Sequence, residues 1–484
     1  MRKKYIMMAS FIWIIIGFLF ISKSPIFNFS RDKMNYIVLM ISYFYIPFIY
    51  AVFAIKRDID IFEPINIFFV IWFLTYTVTP IVLILQNNTL CQGVDVMDGC
   101  FKATIIYMIS FTTLCISYFY KFKTNNKNIG IECNMKQIYK INMNQFSINQ
   151  VHNITIIAVI GWGICYLISL YYLKATGRGF SYILTLGMVG NKTESSEMSL
   201  GFLENFSYCM IGFWLYICLF SKSRILKFVL AFLTATAYMI RGFRFVVIIM
   251  LISFIIMKYT TENKRPKIHQ LILLLLLMLV FIGFLGFIRN DLRAGTTSDL
   301  SNFGLDEITY ALYTNFNIYQ IYYGLVNSLP SKHSFGGFQI FIDSLSVFIP
   351  RIIWHSKPLA ADHLSMKLMA LSVNDFAIYH AAMATPDLGG YYMQFGTLGC
   401  IAYMIAWGKF CGCAKQKFYN KSYDIHVLIS YSIFVPSLLQ TIIRGGDLFN
   451  IIRKIGFFFI PILCMKLFEK FGLWRVDNRN NEKK

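Results

Sequence analysis

Charge is scarce in this chain. Asp, Glu, Lys and Arg together make up 14% of its 484 residues, where a soluble domain carries about 25%. That composition excludes a conventional water-exposed globular surface over most of the length. Acidic residues are the scarcer half, 24 against 45 basic ones, leaving a net charge of +21. No Gly-x-x-x-x-Gly-Lys phosphate loop occurs, which argues against ATP or GTP hydrolysis, and neither His-Glu-x-x-His nor any pair of histidines at i, i+4 is present. No cofactor or metal is expected. The eleven cysteines lack the spacing of a zinc site, and Cys411-Gly412-Cys413 is too close-set for one. No internal repeat is evident, which weakens a transporter built on repeated halves.

What is abundant is apolar length. Residues of the hydrophobic set make up 57% of the chain and aromatics 17%. A helix needs about 20 apolar residues to cross the hydrocarbon core, and the runs that qualify are 5–22, 34–55, 64–85, 101–120, 153–173, 201–220, 225–240, 245–257, 268–288, 395–413, 425–443 and 448–467. These predict an all-α, polytopic membrane protein of about twelve transmembrane helices. The stretch 225–257 is read as two short helices because Arg241-Gly242-Phe243-Arg244 interrupts it. As one helix at 1.5 Å per residue it would run about 50 Å, well beyond a core of about 30 Å. Twelve spans also keep Lys56-Arg57, Lys121 to Lys140, Lys258 to Lys267, Lys415 to Lys421 and the basic tail on the cytoplasmic side. In a soluble protein such a net charge would suggest nucleic acid; here positive-inside orientation accounts for it, and no nucleic-acid partner is expected. Met1-Arg2-Lys3-Lys4 ahead of the first run resembles a signal peptide without a cleavage site, and is read as an uncleaved first helix.

The chain thus divides into 1–288, carrying helices 1 to 9; 289–394, one long outward loop; and 395–484, carrying helices 10 to 12 and the basic tail. The loop holds four of the seven histidines: His333, His355, His363 and His380. Under this topology Arg241, Arg244, Arg289, Arg293, Arg351 and Arg444 lie outside or at the outer boundary, against the positive-inside bias. Guanidinium groups match phosphate oxygens bidentately, so the six are expected to bind a shared anionic substrate, with snorkelling or pairing to Asp291, Asp299 or Asp447 as the plainer alternative. His380 and Asp387, placed near the membrane surface just before the tenth span, are the acid–base candidates. Cys91 and Cys100 share a second outward loop, where they either close a disulfide or stand as two buried thiols.

Two stretches carry a resemblance. Phe348-Ile349-Pro350-Arg351-Ile352-Ile353-Trp354-His355-Ser356-Lys357-Pro358 is similar to the Pro-Arg-hydrophobic-Trp-x-x-Lys-Pro segment of O-antigen (oligosaccharide repeat unit) polymerases of the Wzy type. Pro386 to Gly399, with Gly389, Tyr391, Phe395, Gly396 and Gly399, resembles their loop-to-span passage ending in Phe-Gly-x-x-Gly. Arg293 and Gly304 also fit a short Arg-to-Gly spacing of that group. Two departures stand out: Asp387 lies four residues before Tyr391 where such polymerases often have Glu, and His380 is followed by Ala381 where related ligases have Asn.

The resemblance implies a glycosyltransferase of the bacterial inner membrane that uses no sugar nucleotide. It would pass a glycan from an undecaprenyl-pyrophosphate donor to a second lipid-linked repeat unit on the periplasmic face. Its implied partners are those lipid-linked glycans, membrane lipid, a flippase and a chain-length regulator. Three other readings stay open. An O-antigen ligase would differ only in its acceptor. A lipid-linked glycan flippase or transporter should carry charges lining a cavity in several spans. A membrane partner without activity would leave the arginines unexplained.

Overall fold

The computed structural model describes residues 13, 17, 31–55, 59–86, 90–91, 94–120, 146–175, 203–240, 244–262, 316–345, 384–421, 424–445 and 448–472, with isolated positions at 266, 270, 273, 280, 304, 349, 353–354, 364 and 368. Lipid cannot hydrogen-bond an exposed peptide group, so a spanning chain must pair its backbone internally. The described residues are almost entirely helical. The helices are α1 (Arg31–Ile55), α2 (Pro64–Leu85), α3 (Cys100–Phe119), α4 (Ile148–Ala175), α5 (Phe206–Phe220), α6 (Arg224–Ile240), α7 (Arg244–Thr261), α8 (Tyr319–Ser328), α9 (Gly337–Leu345), α10 (Asp387–Asn420), α11 (Ile425–Arg444) and α12 (Leu448–Lys470). Leu90–Cys91 pairs antiparallel with Val94–Asp95 in a small ribbon ahead of α3. Among the described residues six helices, α1 to α4, α10 and α11, are long and apolar enough to cross a membrane, and α5 and α7 are shorter apolar ones.

The expected spans 5–22 and 268–288 lie almost wholly outside the described residues, while every other expected range falls on a described helix. The break inside 225–257 is real: α6 stops at Ile240 and α7 starts at Arg244. One open alternative is decided. Cys100 is a free, buried thiol at the start of α3, its Sγ 3.9 Å from the Thr104 hydroxyl, so it closes no disulfide.

Prolines inside spans show how the fold repairs its own backbone. Pro461 in α12 has no N–H to give the Phe457 carbonyl. The Cys209 thiol of α5 donates to that oxygen instead, at 3.1 Å, while Gly212 leaves room for the proline ring. In α2, Pro80 likewise deprives the Tyr76 carbonyl of a partner. The ladder widens there into a π-type turn over Leu74–Val78, with the Thr79 amide and hydroxyl both directed to the Leu74 carbonyl. Such turns are rare and concentrate at functional positions.

The helices share two ends. At one, Glu63 before α2 meets Tyr118 of α3 and Lys415 of α10, Tyr431 of α11 donates to the Phe62 carbonyl, and Tyr259 of α7 packs on Phe62. At the other, the Asn35 side chain of α1 donates to the Met97 carbonyl, and α8 presses onto the start of α3. A Cβ at Gly99 would fall 2.0 Å from the Tyr323 carbonyl oxygen, and the Tyr322 hydroxyl donates to the Ala103 carbonyl at 3.2 Å. Part of the expected outward loop is therefore packed into this Gly99 end of the bundle, with most of α8 buried.

Candidate functional site

The most heavily bonded part of the 289–394 interval is its return into the bundle. Helix begins at Asp387, eight residues before the expected start of the span, and is interrupted at Phe395 and Gly396. Gly396 adopts φ +63°, ψ −145°, a backbone geometry open in practice to glycine alone. The Phe335 ring lies 2.8 Å from where its Cβ would stand, and the Gly336 amide donates to the Met393 carbonyl at 3.1 Å. The piece 387–394 thus turns and lies back against the piece 397–420.

Contacts between the two pieces fix that arrangement. The Tyr391 ring stacks on Tyr403 with centroids 4.1 Å apart, and its hydroxyl accepts from Trp407 Nε1 at 2.8 Å. The Tyr403 hydroxyl donates to Gln394 Oε1 at 2.8 Å, and the Cys400 thiol reaches the Leu388 carbonyl. Gly399 allows the approach, since a Cβ there would sit 2.5 Å from the Tyr391 carbonyl oxygen. Gly396, Gly399 and Tyr391, singled out in the sequence, are therefore the turn and the contact surface of a folded-back half-helix.

Asp387 opens that half-helix at its positive end, where a carboxylate is favoured, and is 1% exposed. Its Oδ1 accepts from the Tyr76 hydroxyl at 3.1 Å and from the Leu388 amide at 2.8 Å; its Oδ2 accepts from Trp72 Nε1 at 3.0 Å. Trp72 and Tyr76 lie eight and twelve residues beyond Pro64, about 12 and 18 Å along α2. Asp387 consequently sits deep within the span, not at the membrane surface as expected. The half-helix climbs from there to its turn at the Gly99 end, where the Tyr392 hydroxyl donates to the Leu329 carbonyl at 3.1 Å. Tyr76, Tyr107 and Tyr322 complete an aromatic surround.

Of the other expected site residues, Arg241, Arg289, Arg293, Arg351 and His380 lie outside the described residues. Arg244 opens α7 and Arg444 ends α11; these two helices pack on each other, and their opposite termini both reach the Glu63 end. Both arginine positions therefore fall at the Gly99 end, the end of the half-helix turn. Sequence reading passed over a further cation there. Lys102, inside an apolar run, holds its ammonium 5.6 Å from the centre of the Tyr392 ring. Trp72 and Tyr76 were missed too, because aromatic residues inside a span read as packing until a partner more than 300 residues away is seen beside them.

Two other polar clusters lie at the opposite end. His426 meets the Tyr216 hydroxyl through Nδ1 and Glu469 through Nε2, the latter at 3.0 Å. Asp60 is also there, its carboxylate accepting from the Phe62 amide at 3.1 Å; Asp58, the other acidic residue of Asp58-Ile59-Asp60, lies outside the described residues. Among the described residues no group of His, Cys, Asp and Glu is arranged to hold a metal ion. The family model for O-antigen polysaccharide polymerase Wzy matches residues 5–470, nearly the whole chain. No curated protein and no solved structure matches it.

Proposed function

The chain belongs to the O-antigen polysaccharide polymerase Wzy family, and from that premise we propose that it transfers a growing glycan from an undecaprenyl-pyrophosphate carrier onto a second lipid-linked repeat unit. The observation that carries the reading is the family match over residues 5–470. The charge asymmetry of the connecting segments makes the Glu63 end cytoplasmic and the Gly99 end outward, so transfer takes place on the periplasmic face of the inner membrane. A flippase supplies the lipid-linked units and a chain-length regulator limits the product.

The chemistry follows from the leaving group. An acceptor hydroxyl oxygen bonds to the anomeric carbon while the bond from that carbon to the pyrophosphate oxygen breaks, and the carrier departs with the electron pair. Arg289, Arg293 and Arg351, with Arg241, Arg244 and Arg444, stabilise the developing negative charge as cations already in place. His380 takes the acceptor's proton. Asp387, the other acid–base candidate, is enclosed by Trp72, Tyr76 and the Leu388 amide. No metal or cofactor is needed to balance the step.

Deleting the gene should leave single-repeat glycan on the cell surface. Loss of all attached glycan would instead assign the chain to ligation or flipping. Within the intact protein, Arg289→Ala, Arg293→Ala and Arg351→Ala should each lower turnover about 10²–10³-fold, by analogy with removal of one oxyanion donor. Arg→Lys should restore only part, because an ammonium lacks the two-pronged fork. Protein levels should hold, since exposed substitutions usually change stability by under about 0.5 kcal/mol. Normal ladders from all three alanine variants would move the anion site to Arg241, Arg244 and Arg444.

A further inference from the structure

We infer that Asp387, Trp72 and Tyr76 form a latch that seats 387–394 as a re-entrant half-helix inside the bundle, and that Asp387 serves the transfer reaction by positioning, not as its base. The inference rests on the polymerase reading for what is positioned. The latch itself rests on geometry.

All three donors around the carboxylate come from protein, two from α2 and one from the half-helix's own first turn, and they occupy both oxygens. Asp387 is 1% exposed and Trp72 and Tyr76 are equally enclosed, so a sugar hydroxyl has no approach to the carboxylate while the half-helix is seated. The titratable groups around it are Tyr76, Tyr322, Tyr391 and Cys400, all buried, and no described cation pairs with it. A carboxylate so committed holds two elements together. What it holds is specific: the half-helix carries Tyr391, Tyr392 and Gln394 up to the Gly396 turn, where Phe335 and Gly336 attach the α8–α9 region of the long interval. Releasing the deep end frees the whole return leg.

Pro80 contributes from the other side. The wide turn that it imposes over Leu74–Val78 contains Tyr76 and begins two residues after Trp72, so the α2 half of the latch sits where the helix departs from regular pitch. A reactive segment displaced by about 1 Å loses on the order of 10²-fold in rate, which sets the size of the effect to expect.

The test uses the full-length protein in native membranes, with repeat-unit polymerisation as the activity. Asp387→Asn should lower the rate about 100-fold, and Tyr76→Phe and Trp72→Phe about 10-fold each, at unchanged protein level. Asp387→Asn combined with Tyr76→Phe should be no slower than Asp387→Asn alone, because both open one latch. The pH profile of residual Asp387→Asn activity should keep the wild-type shape. A Met393→Cys probe, in a background with Cys91→Ser and with reagent added from the outer face only, should resist an impermeant thiol reagent when Asp387 is present and react when Asn replaces it. Loss of one limb of the pH profile in Asp387→Asn would make Asp387 the base and overturn the inference; so would additive single-variant effects, or a Met393→Cys thiol equally protected in both backgrounds. Should the wild-type protein itself polymerise nothing, the polymerase reading fails, while the thiol-protection arm still decides whether the latch exists.

Discussion

Two carboxylates buried in this bundle, Glu63 and Asp387, are held in opposite ways. Both tie α10 to α2, one at each end of α10. Glu63, fully buried, takes the Lys415 ammonium at 2.7 Å, the Tyr118 hydroxyl at 2.9 Å and the Asp60 amide at 3.1 Å. Asp387 takes an indole N–H, a phenol and its neighbour's amide. The difference follows depth. Glu63 stands just before its span begins, and Lys415 is 26% exposed, so the ammonium keeps part of its hydration while the charges pair. Eight or more residues into the span a second ion would have to be stripped of water as well, a cost the Coulomb attraction does not always recover. Neutral donors and a helix N-terminus supply the alternative. The end of α10 that is charge-paired reads as anchorage, and the end held by hydrogen bonds reads as an adjustable seat.

That contrast can be broken by experiment. The largest effect should come from Gly399→Ala, which drives a methyl against the Tyr391 backbone carbonyl and pushes the half-helix off its bed. Polymerisation should fall about 100-fold or more, read as glycan ladders from cells with matched protein levels. Lys415→Met acts at the other end. It leaves Glu63 buried without its cation and should cost about 2–3 kcal/mol, less than the 3–5 of a fully enclosed pair because the ammonium is partly exposed. Unfolding titrations in mixed micelles would measure it, and polymer length should stay normal. If ladder length collapses while stability does not, the division of labour between the two ends is wrong. The smallest effect should be Trp407→Phe, which removes the donor to the Tyr391 hydroxyl at 2.8 Å. About 1 kcal/mol is expected from the same titration, with ladders shortened only modestly.

Apolar length made the positions of the described helices legible, and charge made the α6–α7 break legible, since two arginines and a glycine inside an apolar stretch leave a turn as the economical solution. The candidate site was legible only as composition. Asp387, Gly389, Gly390 and Gln394 lower the apolar content of 387–394, so a search for continuous runs starts the tenth span at 395 and treats the half-helix as loop. Nothing local reveals that Asp387 lies beside Trp72, because their contact closes more than 300 residues of chain. Lys102 escaped for the converse reason: its neighbours are apolar, and the aromatic ring beneath it comes from another helix. Cys100, placed by its spacing in a possible bridge, is a free thiol facing Thr104. His380 and the arginines Arg241, Arg289, Arg293 and Arg351 fall outside the described residues, and their roles rest on the sequence and the family.

The wide turn in α2 sets a phase. A π-type turn holds one residue more than the α-helical turn it replaces, so everything beyond Val78 is rotated by roughly 100° relative to an unbroken helix. Deleting one residue from Leu74–Val78 would restore regular pitch only by turning the two halves of α2 against each other. Ile81 and Ile84, now buried beyond the turn, would swing around the axis relative to Trp72. The length of this helix in residues, as distinct from the identity of any one of them, is therefore part of what aims Trp72 and Tyr76 at a single carboxylate.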